Sequence, residues 1–268
     1  MNNDVQDNVE KEPDVLDLFR LDGHIAIITG GSKGLGKSMS LGLAQAGATT
    51  VICSRTQDKC ESVAADITHR TGRESIGMAM DVTREDDVER VFKNTMDRFG
   101  KLDVLINSAG INIRRPVEEL ALEEFRQVMD INLTGSWLCC RAAAPIMKQQ
   151  RSGSVINIGS TLSVVGIAER TPYCSSKAGV LGLTRVLALE WARFGVRCNA
   201  ICPGPFLTEM NRPLLDDPAK FQSIISKTAL NRWGELHEIR GAALFLASAA
   251  STYVTGTTLL VDAGWTAE

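Results

Sequence analysis

The sequence predicts a single doubly wound α/β domain on a seven-stranded parallel sheet. Short β-branched runs alternate along the chain with longer amphipathic stretches. The runs are almost continuously apolar, as strands covered on both faces must be. The 268 residues contain no Pro/Gly/Ser-rich linker and no charge block, which makes one domain of ordinary size. Strand and helix alternating in this way force right-handed crossovers and a parallel sheet with helices on both sides.

The apolar runs, and hence the expected strands, lie at 25–29, 49–53, 76–80, 104–107, 155–158, 197–201 and 258–261. Helical patterns include 37–46, 84–99, 122–148 and 173–194, and Pro145 should stop or bend the third of these. Thr83-Arg84-Glu85-Asp86 resembles a capping box at the start of the second. Gly47, Gly72, Gly100 and Gly195 fall just past helix ends, where a left-handed residue suits glycine. Residues 1–22, carrying Asp4, Asp7, Glu10, Glu12 and Asp14, read as a polar N-terminal arm, either disordered or packed on a partner subunit. Residues 23–268 then form the domain.

Composition excludes several function classes. A net charge of −3 gives no basic field to attract nucleic acid. No apolar run approaches the length that spans a bilayer, and the acidic start lacks the features of a secretory signal, so a cytoplasmic protein is expected. Seven cysteines without a C-x-x-C suggest reduced thiols. His24, His69 and His237 have no acidic or cysteine partners at ligand spacing, so no metal site is expected.

The first strand runs into Gly30-Gly31-Ser32-Lys33-Gly34-Leu35-Gly36 and then directly into a helix. Glycines in that context allow a tight turn, close backbone approach to a pyrophosphate and tight helix–strand packing. The helix N-terminus then faces the phosphates. A glycine cluster alone would be only a βα turn. With a clear strand before it and a helix after it, dinucleotide binding is the expected role.

The spacing is T-G-x-x-x-G-x-G rather than the common G-x-G-x-x-G, and it resembles the first signature of the short-chain dehydrogenase/reductase family. Asn107-Ser108-Ala109-Gly110 is similar to that family's N-N-A-G turn, with serine at the second position. Asn132, Ser160 and the Tyr173-x-x-x-Lys177 pair match its catalytic set in order and separation, and Pro203-Gly204 matches its loop after strand six. The resemblance covers about residues 21–264. It implies a Rossmann-type domain and a nicotinamide cofactor lying along Gly30, Ser32, Lys33, Gly34, Leu35, Gly36, Ser54, Arg55, Asp81, Val82, Asn107, Ala109, Gly110, Tyr173, Lys177, Pro203, Gly204, Phe206 and Thr208.

Cofactor choice is read at the end of the second strand. An NAD site usually places a carboxylate there for the ribose 2′-hydroxyl, whereas this chain has Ser54 followed by Arg55. Lys33 in the glycine loop offers a second positive charge, so NADP(H) is preferred and NAD(H) stays open.

Tyr173 and Lys177 share one helical face. A lysine ammonium about 4 Å from the phenol would lower its pKa by about three units, toward the working pH. Ser160, ending strand five, is placed to hold the substrate oxygen while Tyr173 moves the proton. The resemblance gives Asn132 the task of holding a water that links the active-site lysine to solvent. The expected activity is hydride transfer between nicotinamide and a secondary alcohol or ketone.

The substrate is a small molecule. Gly110-Ile111-Asn112-Ile113-Arg114-Arg115-Pro116 and Arg232-Trp233-Gly234-Glu235 are similar to the gluconate 5-dehydrogenase branch of the family. Arg114 or Arg115 would suit a sugar-acid carboxylate, or else contact a subunit or solvent. A 3-oxoacyl-carrier-protein reductase is the alternative, and a nucleotide-sensing protein without turnover is a further one. Residues 206–227, with Pro213 and Pro218 amid an apolar helical pattern, predict a helical lid or a permanent structural helix. The resemblance also implies a homotetramer. The apolar residues Trp137, Leu138, Cys139, Cys140, Leu181, Leu183, Leu187, Leu189 and Trp191 exceed what one sheet face requires.

Overall fold

A computed structural model describes residues 12–267. The strands are β1 (Ile25–Thr29), β2 (Thr49–Ser54), β3 (Ser75–Ala79), β4 (Val104–Asn107), β5 (Gly153–Ile158), β6 (Val196–Pro203) and β7 (Thr258–Val261). They form one parallel sheet in the order β3-β2-β1-β4-β5-β6-β7. All seven expected strands are present, within two residues at each end. The chain winds outward from β1 to β3, then returns to place β4 on the other side of β1. That reversal opens a crevice at the carboxyl ends of β1 and β4, where ligands bind in open α/β sheets.

Period-two alternation along each strand fills the two layers. Ile27 and Val155 pack with Cys139, Leu187 and Trp191 on one face. Their neighbours Ile28 and Ile156 pack with Met39, Leu43 and Leu246 on the other. The helices are α1 (Gly34–Gln45), α2 (Gln57–Thr71), α3 (Glu85–Phe99), α4 (Leu122–Met129), α5 (Gly135–Gln150), α6 (Thr171–Trp191), α7 (Arg212–Leu215), α8 (Pro218–Ile225) and α9 (Arg240–Ala247), of which α1, α5, α6 and α9 supply those residues. No helix among the described residues is long and apolar enough to cross a membrane.

Four local expectations need correction. The pattern at 122–148 is not one helix, because a π-turn at Asp130–Thr134 separates α4 from α5. Its wide turn follows from Asn132, whose side chain bonds away from the helix. Pro145 does not stop α5, which continues to Gln150. Burial of Ala143 and Met147 on either side outweighs the missing hydrogen bond. The capping box at Thr83 does not form, since Thr83 Oγ1 bonds Asp81 Oδ1 at 2.7 Å and Arg84 occupies the cap position. Asp87 instead accepts the Asp81 N–H at 3.0 Å, which holds the Asp87 carboxyl below its usual range. Leu21, read as part of the polar arm, is fully buried in the core, and Asp17–Phe19 makes a 3-10 turn before it. Residues 1–11 of that arm lie outside the described residues. The four glycines expected past helix ends do take positive φ, from 68° to 113°.

Candidate active site

The crevice widens into a cleft of about 510 Å³ that runs from the glycine loop to the helical segment 206–227 at its mouth. Its floor is shaped by backbone contacts too close for side chains. A Cβ on Gly30 would sit 2.8 Å from Ala109 Cα, and one on Gly36 only 2.3 Å from the Gly30 carbonyl oxygen. Thr29 Oγ1 accepts the N–H groups of Ser108 and Ala109, both at 3.0 Å, and so locks the β1 and β4 loops together. The result is a bare backbone cradle at the N-terminus of α1, which fits a dinucleotide pyrophosphate. Ser54, Arg55, Lys59, Asp81 and Val82 continue the wall beyond it. Lys33 stands at the rim in an exposed ion pair with Glu209, 3.6 Å apart.

Every residue expected along the cofactor lines this cleft except Asn107. Asn107 lies behind it, buried, with Nδ2 donating to Asn157 Oδ1 at 2.9 Å. Its place is under the turn, where it braces β4 against β5, rather than along a ligand.

At the far end of the cradle the structure brings Ser160, Tyr173 and Lys177 together. Ser160 follows β5 in extended backbone, and its Oγ accepts the Leu162 N–H at 3.1 Å. Ser163 is a brace that the sequence reading missed. Its Oγ accepts the Ser160 N–H at 3.1 Å and donates to the Lys177 carbonyl at 2.9 Å, tying the β5 loop to α6. Lys177 is buried, and its Nζ donates to the Ile158 carbonyl at 2.7 Å.

The electrostatics differ from the expectation drawn from the sequence. The ammonium is engaged by the Ile158 carbonyl and stands 5.7 Å from the centroid of the Tyr173 ring. Burial therefore dominates both groups. It raises the Tyr173 pKa, against a partial offset from a hydrogen bond with Ser160, and it lowers Lys177 to about 8.

Asn132 is fully buried one layer behind the cleft. Its Oδ1 accepts the Ile111 N–H at 2.9 Å, and its Nδ2 donates to the Ile111 carbonyl and to Ser176 Oγ, both at 3.0 Å. A Cβ on Gly110 would meet Asn132 Oδ1 at 3.2 Å and Lys177 Nζ at 3.6 Å, so this glycine keeps the space between them clear.

The two arginines of the β4 loop separate. Arg115 turns outward to pair with Glu124 at 3.1 Å, and it takes no part in the cleft wall. Arg114 lines the cleft half-buried, with Nη2 reaching the Met210 carbonyl at 3.0 Å and Asn211 Oδ1 at 3.3 Å. Its charge bears on Tyr173. Of the stretch 232–235, only Trp233 enters the cleft. Arg232 is held at the surface by a two-pronged bond to Glu238, at 2.7 and 2.6 Å. The segment 206–227 forms a 3-10 turn, Glu209–Asn211, followed by α7 and α8, with Phe206, Met210 and Ile224 lining the cleft. Arg170, just before α6, also lines the cleft, and nothing in the sequence reading singled it out.

A family model described as enoyl-(acyl carrier protein) reductase, of the short-chain dehydrogenase type, matches residues 30–266. The chain belongs to the short-chain dehydrogenase/reductase family. It is 36% identical over 251 residues to the 2-dehydro-3-deoxy-D-gluconate 5-dehydrogenase of Formosa agariphila, covering 93% of this chain and 95% of that protein. It is 37% identical over 249 residues to a 3-oxoacyl-[acyl-carrier-protein] reductase of Synechocystis, with coverage of 92% and 98%. Among solved structures, a gluconate 5-dehydrogenase from Burkholderia cenocepacia, in complex with NADP and tartrate, superposes with a TM-score of 0.92 at 38% identity, covering 95% of this chain and all of that one. As a short-chain dehydrogenase/reductase the protein is an oxidoreductase acting on alcohol or ketone groups.

Proposed function

We propose that the protein is an NADP-preferring dehydrogenase/reductase of a sugar acid or related polyol, converting a secondary alcohol to a ketone or the reverse. The observation that carries this reading is the half-buried Arg114 standing over the same stretch of cleft as Ser160 and Tyr173. A cation placed beside the reacting group favours an anionic substrate. The named sugar-acid relatives support the same assignment.

The nicotinamide supplies or accepts the hydride when it is bound. The chain's own residues handle position and the proton. Ser160 Oγ holds the substrate oxygen, and Tyr173 gives its phenolic proton to that oxygen in reduction or takes it in oxidation. Lys177, anchored on the Ile158 carbonyl in the cleft wall, would help hold the cofactor, and Asn132 fixes the Ile111 backbone and Ser176 behind it. Arg55 and Lys33, with no carboxylate at Ser54, favour a 2′-phosphate.

A 3-oxoacyl-carrier-protein reductase is the second reading, favoured by the 37% identity to the Synechocystis enzyme. Assays with NADP⁺ and NAD⁺ against gluconate, related keto-deoxy acids and neutral polyols, beside NADPH with a 3-oxoacyl thioester, separate the two. Activity confined to the thioester would overturn the first reading.

A further inference from the structure

The substrate end of the cleft holds more polar capacity than the protein itself satisfies. Arg114 Nε, Asn112 Oδ1 and Trp233 Nε1 are buried without hydrogen-bond partners, and all three residues line the cleft. Buried polar atoms are nearly always paired, so unpaired ones gathered on one ligand-sized cavity mark the partners of a ligand.

Arg170 stands in the same wall and is only 8% exposed. Its Nη1 donates to the Glu169 carbonyl at 3.2 Å, and the Glu169 carboxylate, itself largely in solvent, is 3.9 Å away. Burial lowers the Arg170 pKa, and the charge of Arg114 lowers it further. Arg170 also precedes the 21-residue α6, whose first turn has no acidic residue. The positive end of the helix dipole adds to its charge instead of balancing it.

The backbone holds this unfavourable pairing in place. The Arg115 N–H donates to the Glu169 carbonyl at 3.2 Å, which clips the loop carrying Arg114 to the loop carrying Arg170. Glu169 takes a left-handed φ of 62° at that clip, a strained state for a non-glycine residue. Two guanidinium groups lining one cleft, neither paired with a buried carboxylate among the described residues, favour an anion there.

We propose that Arg170 determines substrate charge specificity: with Arg114 it takes the carboxylate of a hydroxy or keto acid between two guanidinium groups, while Asn112 and Trp233 meet hydroxyls along the carbon chain. This rests on the sugar-acid reading above for the substrate, though not for the anion site itself. A planar carboxylate matches the donor fork of arginine, which lysine cannot reproduce.

The test uses the full chain loaded with NADP⁺, with Arg170→Gln and Arg170→Lys compared to wild type. Gluconate and its neutral amide are the substrates, and tartrate binding is followed by calorimetry. In Arg170→Gln the preference for gluconate over the amide should fall about 10- to 100-fold, carried by KM rather than kcat, as loss of a charge-assisted pair implies. Tartrate affinity should fall alongside it, and Arg170→Lys should restore part of both. NADPH fluorescence titration establishes that each variant is folded. Equal losses on acid and amide, or unchanged tartrate affinity, would overturn the role of Arg170. If wild type binds tartrate through Arg170 yet oxidises no sugar acid, the substrate reading falls and the anion site stands.

Discussion

Lys177 Nζ donates a 2.7 Å hydrogen bond to the Ile158 carbonyl at the end of β5, so the ammonium is fixed by the sheet rather than by the neighbouring phenol. Burial brings its pKa from 10.5 down to about 8. The group is charged below that value and neutral above it, and NADPH affinity should therefore weaken as pH rises through about 8. The linkage to stability has the opposite sign. Between about 8 and 10.5 the unfolded chain holds this proton more firmly than the folded one, so the group's contribution to stability rises with pH across that window. Fluorescence titration from neutral to alkaline pH, in wild type and Lys177→Met, checks the first point. A pH step of equal size in both proteins would refute it.

Tyr173 has the opposite shift, raised by burial, and stays protonated at neutral pH in the cofactor-free protein. Ketone reduction should be strongest at neutral pH, and alcohol oxidation should climb as the solution becomes alkaline. Tyr173→Phe should bind NADPH nearly as well as wild type and lose about 10²- to 10⁴-fold in turnover, because only proton transfer is removed. Stopped-flow rates in both directions provide the measurement. Near-normal rates would eliminate Tyr173 as the acid–base group.

Ser54 ends β2 at the cleft wall, Arg55 follows it, and Lys59 joins them there from α2. Exchanging Ser54→Asp together with Arg55→Ala supplies a ribose acceptor and removes a phosphate donor. The ratio of kcat/KM for NADP⁺ over NAD⁺ should fall about tenfold or more, the loss expected for one charge-assisted bond. A wild-type protein already preferring NAD⁺ would show that this strand end has been misread.

The parts of the site readable in the sequence are those fixed by local geometry. The Tyr173–Lys177 pair follows from one turn of helix, the glycine cradle from a strand-to-helix junction, and the sheet from period and length. The missed parts depend on contacts between distant segments. Arg170 becomes a cleft residue only because Glu169 is clipped to Arg115, 54 positions earlier in the chain. Ser163 matters because it bridges to Lys177 across two loops. Asparagine suits a helix interior poorly, and at Asn132 that misfit is the trace of the π-turn. The direction of the Tyr173 shift was missed because proximity along a helix says nothing of what else a buried ammonium bonds.

Asn132 satisfies three buried groups at once: the Ile111 N–H, the Ile111 carbonyl and Ser176 Oγ. Asn132→Ala strands the two Ile111 groups, at about 1–3 kcal/mol each, while Ser176 Oγ keeps its 2.8 Å bond to the Tyr173 carbonyl. Differential scanning fluorimetry should record a fall of about 4–24 °C, given roughly 2–4 °C per kcal/mol in a domain of this size. Asn132→Asp retains an acceptor for the Ile111 N–H and should lose less. Equal melting temperatures for wild type and Asn132→Ala would show that water replaces the side chain without cost.

The surface of the two long helices supplies the last prediction. Many of the apolar residues counted as surplus in the sequence are buried in the monomer, including Leu138, Cys139, Cys140, Leu181, Leu187 and Trp191. What stays outside is narrower: Trp137 on α5, and Val186 with Leu189 on α6, the latter 82% exposed. A leucine that open to water on a rigid helix costs solubility unless it is covered, and such patches usually mark subunit contacts. Two copies related by a two-fold axis would bring identical patches face to face, and Leu260 on the edge strand β7 offers a second contact. Light scattering at micromolar concentration should therefore give a mass near four chains. The double variant Val186→Lys with Leu189→Glu should reduce it to two or one while the far-ultraviolet spectrum is unchanged. A wild-type monomer with full activity would rule the assembly out.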